Sequence, residues 1–409
     1  MSAEEAEPAA DLPFGFDPLS RVFRSDPWAT YDRMRTDDPV HRSPLGMWAL
    51  TRHEDVAAAL RDPRFVMGDF WKRQERMLGP GAASRMGVTW MLFKDPPDHG
   101  RLRGLVSRAF SPNAIAELRP RIEEIVDELL EPALERGTID VVRELAFPLP
   151  VRVIAEMLGV PADDGDRFHA WTQSMNLALE PAITPDETRR CHAAIEELDG
   201  YLRALVRERR SAPRQDIVSA MIAAEEGGDR LSEDELVGNT ALLLSAGYET
   251  TMGMIGNGAL ALLRFPGEIA RLAEHPELLP NAIEEFMRYE SPVQFTGRQP
   301  RAPIEIRGRS IQPGEHCLLL VGAANRDPDR FPDAARLDVG RSNAADQVSF
   351  GGGRHFCIGA PLARLEGEIA FRKLLPLLEG AELASSHVEW RDSFLNHAPE
   401  SLPVLLRRS

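Results

Sequence analysis

A chain of 409 residues, 43% hydrophobic and 27% charged, has the make-up of an ordinary globular protein and is long enough to bury a sizeable core. Its formal net charge of −16 argues against a general nucleic-acid binder and against a protein that clings to anionic membranes. Three widely spaced cysteines, Cys191, Cys317 and Cys357, exclude a disulfide framework and a cysteine-rich metal site, and they fit a reducing, cytoplasmic compartment.

Residues 1–16 are rich in Ala, Glu and Pro and carry no Lys or Arg. They read as a disordered tail, neither signal peptide nor anchor, ahead of a single domain over 17–409. A short helix from Pro27 to Met34 precedes a hairpin of Val40–Arg42 and Met47–Leu50, turned at Pro44 and Gly46. Thr51 and Glu54 have capping-box spacing for a helix ending near Leu60. Residues 62–95 show little periodicity but many large apolar side chains, Trp71, Met86 and Trp90 among them. They make either a satellite core or the wall of a pocket for a flexible apolar ligand.

Helical runs dominate from His99 to about Tyr289, with breaks at Pro148–Pro150, Pro161, Pro181–Pro185 and Pro213. Ser232 and Glu235 form a capping box for a helix of some thirty residues, roughly 45 Å long. Within it lies Ala246-Gly247-Tyr248-Glu249-Thr250-Thr251. A mid-helix glycine, a carboxylate and two hydroxyls there mean either a kinked core helix or stability given up for a small-ligand groove. That carboxylate, with Asn239 and Asn257, also argues against a bilayer span.

Glu285 and Arg288 stand at i,i+3 on one helical face. Beyond Pro292 the period shifts to that of strands, at Val293–Phe295, Ile304–Ile306, Ser310–Gln312 and His316–Val321, with turns at Gly308 and Gly314. Residues 325–340 are irregular, and short strands return from about Glu382 to Leu406.

Phe350-Gly-Gly-Gly-Arg-His-Phe-Cys357-Ile-Gly359 opens a helix from Ala360 to about Leu375. A cysteine at a helix N-terminus meets orphan N–H groups that favour a thiolate. Glycines at 351 and 353 let a bulky group approach. Three readings stay open from these residues alone: a buried small hydrophobe, a catalytic nucleophile, or an axial ligand to haem iron.

The loop matches the cysteine signature Phe-Gly-x-Gly-x-His-x-Cys-x-Gly of the cytochrome P450 family at every fixed position. Ala246–Thr251 resembles that family's oxygen-activating motif, and Glu285-x-x-Arg288 its Glu-x-x-Arg pair. The resemblance covers nearly the whole chain and implies a mainly α fold with a minor β-rich portion, the cytochrome P450 fold. It implies a haem-thiolate monooxygenase that inserts one atom of dioxygen into a hydrophobic small molecule, such as a polyketide or macrolide, by hydroxylation or epoxidation. Fatty acids, terpenes and steroids are the alternative substrates. A haem-binding sensor, and a thiol hydrolase without haem, are the rival functions.

By the same resemblance Cys357 would be the axial ligand of haem b, with Phe350, Gly351, Ala246 and Gly247 against the porphyrin. His99 and Arg103 (i,i+4 on one helix), Arg298 and His355 would face its propionates. Thr250 would act where oxygen is activated, and Glu249 would help relay protons. Glu285, Arg288 and a third member, Arg336, would form a buried structural lock. Trp71, Met86, Trp90, Leu177, Leu242, Leu243, Ala246, Val293, Phe295 and Leu395 would line the substrate pocket. Electrons would come from NAD(P)H through a ferredoxin and its reductase, steered by a basic patch of Arg101, Arg108, Arg354, Arg364, Arg372 and Lys373. The protein would act as a cytoplasmic monomer, with no nucleic acid and no membrane as partner.

Overall fold

The structure, a computed structural model, describes residues 14–407 apart from 15, 19, 44–45, 108–109, 161–164, 181–182 and 225–228. The expected tail over 1–16, the turn at Pro44, the breaks at Pro161 and Pro181, and Arg108 fall wholly or largely outside them. Helices dominate, and ten short strands form a minor portion: β1 (Val40–Arg42), β2 (Trp48–Leu50), β3 (Phe65–Val66), β4 (Thr138–Asp140), β5 (Phe295–Pro300), β6 (Ile304–Ile306), β7 (Arg309–Ile311), β8 (Cys317–Leu320), β9 (Glu382–Leu383) and β10 (Pro403–Leu405). They pair as a five-stranded sheet in the order β1-β2-β8-β5-β3, a three-stranded sheet β4-β10-β9, and the β6-β7 ribbon.

The long central helix, Glu233–Arg264, organises the rest. Ser232 accepts from the Glu235 N–H while the Glu235 side chain returns to the Ser232 N–H, so the expected capping box is formed. At 32 residues the helix is about 48 Å long. It is buried on nearly every side against the helices Pro148–Met157, Pro185–Ser211, Leu279–Tyr289 and Ala360–Leu378. A helix apolar all round is a core helix or a membrane span, and here it is core. No helix among the described residues is long and apolar enough to cross a membrane.

Three local expectations fail for identifiable reasons. Thr51 and Glu54 make no capping box: the helix begins at His53, whose N–H donates to Asp327 Oδ2 at 2.8 Å, while Thr51 donates to the Pro39 carbonyl. A distant aspartate does the capping. The stretch 62–95 is largely helical, at Phe70–Leu78 and Ala82–Gly87. Its buried stripe of Trp71, Gln74 and Leu78 was hidden by the charged residues between them. Pro148 opens a helix rather than breaking one, because proline at the first helical turn loses nothing.

Glu285 and Arg288 are both fully buried. Arg288 Nε and Nη2 reach the two Glu285 oxygens at 2.7 and 2.8 Å, and the same guanidinium donates to the carbonyls of Asn325, Ala334 and Arg336. The third member is not Arg336, whose side chain is exposed and which contributes its carbonyl only. It is Arg341, with Nε 3.1 Å from both Glu285 oxygens. The chain turns between the two positions, so the backbone of Arg336 faces inward and its side chain outward. Removing one partner leaves a buried charge unpaired, so Glu285→Ala or Arg288→Ala should cost about 3–5 kcal/mol in denaturant unfolding. Arg336→Ala should stay within about 0.5 kcal/mol, and Arg341→Ala should fall clearly between. Equal losses at 336 and 341 would contradict this assignment.

Candidate functional site

Cys357 ends a tight loop whose backbone is fixed from within. Its N–H donates to the Phe350 carbonyl at 2.9 Å, the Gly351 N–H donates to Val348 O at 2.9 Å, and Gly351 and Gly353 have φ of +71° and +60°. Only at Gly353 is a side chain also sterically barred, since a Cβ would stand 2.6 Å from the Leu60 carbonyl. The helix Gly353 leans on, His53–Arg61, thus supports the cysteine loop from outside.

The Cys357 sulfur is crowded by protein on most sides, yet the residue presents open surface. Both hold when it faces an interior slot. Burial pushes its thiol up, while N–H donors from Gly359 and Ala360 and the guanidiniums of Arg103 and Arg364 pull the other way. Burial prevails, so the thiolate foreseen at the helix N-terminus needs a cationic partner such as a metal ion.

The other wall of such a slot is recognisable on the central helix. Ala246 is exposed and Gly247 and Thr250 are half-buried, in the middle of a helix otherwise enclosed. Thr250 Oγ1 donates back to Ala246 O at 3.2 Å, the one-turn back-bond that loosens a helix. The neighbouring Thr251 does the same to Gly247 O at 3.3 Å. Glu249 points elsewhere: its carboxylate accepts from Tyr248 and from Asn396 and lies beside Arg391. Burial raises its pKa, opposed by Arg391, Asn176 and Tyr248.

The four expected propionate partners do converge. His99 and Arg103 share the helix Asp98–Ser107, and the His99 and His355 rings are 4.1 Å apart at 43°. Arg298, on β5, is buried with its guanidinium on Met67 Sδ, Thr296 Oγ1 and Gly297 O. Burial first, then neighbouring cations, push His355 down to about 2; burial and Arg103 push His99 down to about 4. Burial lowers Arg298 to about 10. Among the described residues no ion pair reaches any of the four or Arg354, and Asp95, the carboxylate acting on His99 and Arg298, already accepts from the N–H groups of Met67 and Gly68. His355 Nε2 is buried without a partner. So much positive potential, with an orphan nitrogen and no committed acid, calls for a bound anion carrying more than one charge. A haem, with two carboxylates and an iron for Cys357, fits the residues present.

The expected pocket residues do not form one group. Trp71, Met86, Trp90, Leu242 and Leu243 belong to the main core, with Leu177 packed against it. Phe295 stacks on Phe394 in a separate aromatic cluster that Leu395 flanks, and Val293 is bridged to Asn396. The expected basic patch is largely neutralised: Arg101 pairs with Glu235, Arg364 with Glu284, Arg372 with Glu368 and Lys373 with Asp127. Arg354 alone of the described members is left. Sequence reasoning missed Arg341, Arg391 and Asn396, whose partners are far along the chain and leave no local signal.

Comparison with known proteins agrees with this geometry. Residues 46–379 match the family model described as Cytochrome P450. "Cytochrome P450 107B1" of Saccharopolyspora erythraea is 42% identical over 94% of this chain and 96% of its own length. "Mycinamicin IV hydroxylase/epoxidase" of Micromonospora griseorubida is 39% identical over 92% and 94%. The crystal structure of CalO2 superposes with a TM-score of 0.90 at 35% identity, covering 96% of this chain and 98% of that one.

Gly353→Ala should destabilise the cysteine loop by more than about 1 kcal/mol and lower the pigment retained per mole of protein. Gly351→Ala, whose Cβ would meet nothing closer than His355 O at 3.5 Å, should lose less. Melting curves and pigment-to-protein ratios check the order.

Proposed function

The chain belongs to the cytochrome P450 family and is a haem-dependent monooxygenase, and from that premise we propose the roles of its residues, its substrate class and its electron source. Cys357 binds the haem iron, and His99, Arg103, Arg298 and His355 bind the propionates. Phe350, Gly351, Ala246 and Gly247 lie against the porphyrin. The single observation that carries this is the buried cationic cluster without an acid partner beside an open Cys357. When bound, the haem supplies oxygen activation, with the thiolate opposite the oxygen pushing electron density toward it.

The chain's own residues supply order and protons. The Thr250 hydroxyl, with its hydrogen-bond partner one turn back, is a donor held at the slot. Glu249 stands one residue away as the acid of the relay. The mostly apolar wall set by Met86, Leu242 and Leu243 excludes water and favours a medium or large hydrophobic substrate. We take that substrate to be a polyketide or macrolide, hydroxylated or epoxidised, as the name of the mycinamicin relative states for that protein. Fatty acids, terpenes and steroids are the competing class. Residues 17–409 act as one catalytic domain, in the cytoplasm and as a monomer. NAD(P)H supplies electrons through a reductase and a ferredoxin, docking near Arg354 on a much smaller basic surface than the sequence implies.

The purified protein should show the red-shifted Soret band of a thiolate-ligated ferrous–CO haem, and Cys357→Ala should lose it. A parent protein without that band overturns the reading. Macrolides should displace the iron-bound water at lower concentration than steroids or fatty acids of similar size, read as a Soret shift. Thr250→Ala should keep that binding within about twofold while product formed per NAD(P)H falls by roughly tenfold or more. Unchanged product yield would favour the haem-sensor alternative.

A further inference from the structure

Glu249 and Thr250 are neighbours in sequence but about 100° apart around the helix, and they face different surroundings. Glu249, Met252, Gly253 and Gly256 fall on one stripe (i, i+3, i+4, i+7). A C-terminal hairpin covers it, with Trp390 bridged to Pro399, Arg391 N–H on Ala398 O at 3.0 Å and Glu400 N–H on Glu389 O at 2.8 Å. The two glycines permit the approach. A Cβ on Gly253 would stand 2.9 Å from Pro292 Cβ and 3.6 Å from Ala398 Cβ; one on Gly256 would be 3.2 Å from Val142 Cγ2 and 3.5 Å from Pro399 Cγ.

The turn of this hairpin delivers two side chains to Glu249. Asn396 Nδ2 donates to Oε2 at 2.7 Å, and Arg391 Nη2 lies 3.7 Å from Oε1. Arg391 also reaches Met252 Sδ at 3.5 Å and Glu400 at 3.8 Å. Its side chain is 14% exposed and that of Glu400 48%, so the pair spans from buried to open. On its outer side Arg391 lines an open surface cavity of about 610 Å³ together with Arg21, Asp26, Glu389 and Trp390. One guanidinium thus connects a buried carboxylate to solvent.

We propose that Arg391 is a positioning residue for Glu249, and that the groove it lines is where solvent protons enter on their way to Thr250. This rests on the monooxygenase reading and gives its relay an origin. Each proton that Glu249 passes toward the Thr250 hydroxyl is replaced by one from water in the groove. The carboxylate is regenerated and no electron moves in the relay, since electrons arrive separately from the redox partner. Of the titratable and charged groups facing Glu249, Tyr248 comes from its own helix and Arg391, backed by Glu400, from the hairpin. Asn176, at the end of the helix Gly165–Asn176, and Asn396 are neutral. Arg391 is therefore the one cation that favours the ionised carboxylate over burial.

The test compares Arg391→Gln and Arg391→Lys holoenzymes with the parent. The Glu249 carboxyl stretch, assigned by its loss in Glu249→Gln, is titrated in the resting state by infrared difference spectroscopy. Without the guanidinium the charged form loses its counter-ion, so Arg391→Gln should titrate about one pH unit higher or more, with Arg391→Lys restoring most of the shift. During turnover Arg391→Gln should lose roughly tenfold in kcat with KM little changed, and its solvent deuterium isotope effect should rise. The ferrous–CO band is the control. An intact band with unaltered titration and isotope effect in Arg391→Gln overturns this proposal alone. Absence of the band in the parent overturns the monooxygenase reading and this proposal with it.

Discussion

The Glu285 carboxylate, enclosed between Arg288 and Arg341, determines where the cysteine loop begins. It also accepts from the Asp338 N–H at 3.0 Å, and Arg288 carries its hold on to the carbonyls of Asn325, Ala334 and Arg336. From there Asn325 bonds the Val348 N–H and the hydroxyls of Ser291 and Ser349, and Ser349 returns to Met287 O. Phe350 follows directly. An irregular stretch with few hydrogen bonds of its own is held by side chains that a single helix supplies. A buried ion pair is weak evidence for net stability, but it specifies one arrangement strongly, because every alternative leaves a charge unpaired.

Those demands explain what the sequence could and could not reveal. The Cys357 loop, the capping box at Ser232, and His99 with Arg103 were legible because their partners lie within a few residues, where spacing dictates geometry. Arg336 was mistaken for Arg341 because a fully irregular chain has no period, so neither position announces which side chain turns inward. The same limit hid the capping of His53 by Asp327 and the pairing of β4 with β10. The pocket list mixed residues of two cores, since hydrophobicity marks burial but does not say beside what.

The central helix separates two tasks by angle. One face, at Ala246, Gly247 and Thr250, is left uncovered beside the cysteine loop's side of the molecule, and that gap costs helix regularity through two back-bonded threonines. The adjacent face, at Glu249, Gly253 and Gly256, is closed by backbone-close packing that only glycine allows. A proton carrier and the group it serves can thus be consecutive residues in different environments, one enclosed and polar, the other open to the slot.

The hairpin on Glu249 belongs to a segment that ends in β10, the middle strand between β4 and β9. Leu402 N–H donates to Asp140 Oδ1 across 262 residues, and closing so long a loop costs about 5 kcal/mol of chain entropy. The relay's surroundings are therefore assembled late. A nascent or partly refolded chain can have its cysteine loop and central helix formed while Glu249 still lies bare to water, so maturation of the acid follows, rather than precedes, formation of the site it serves.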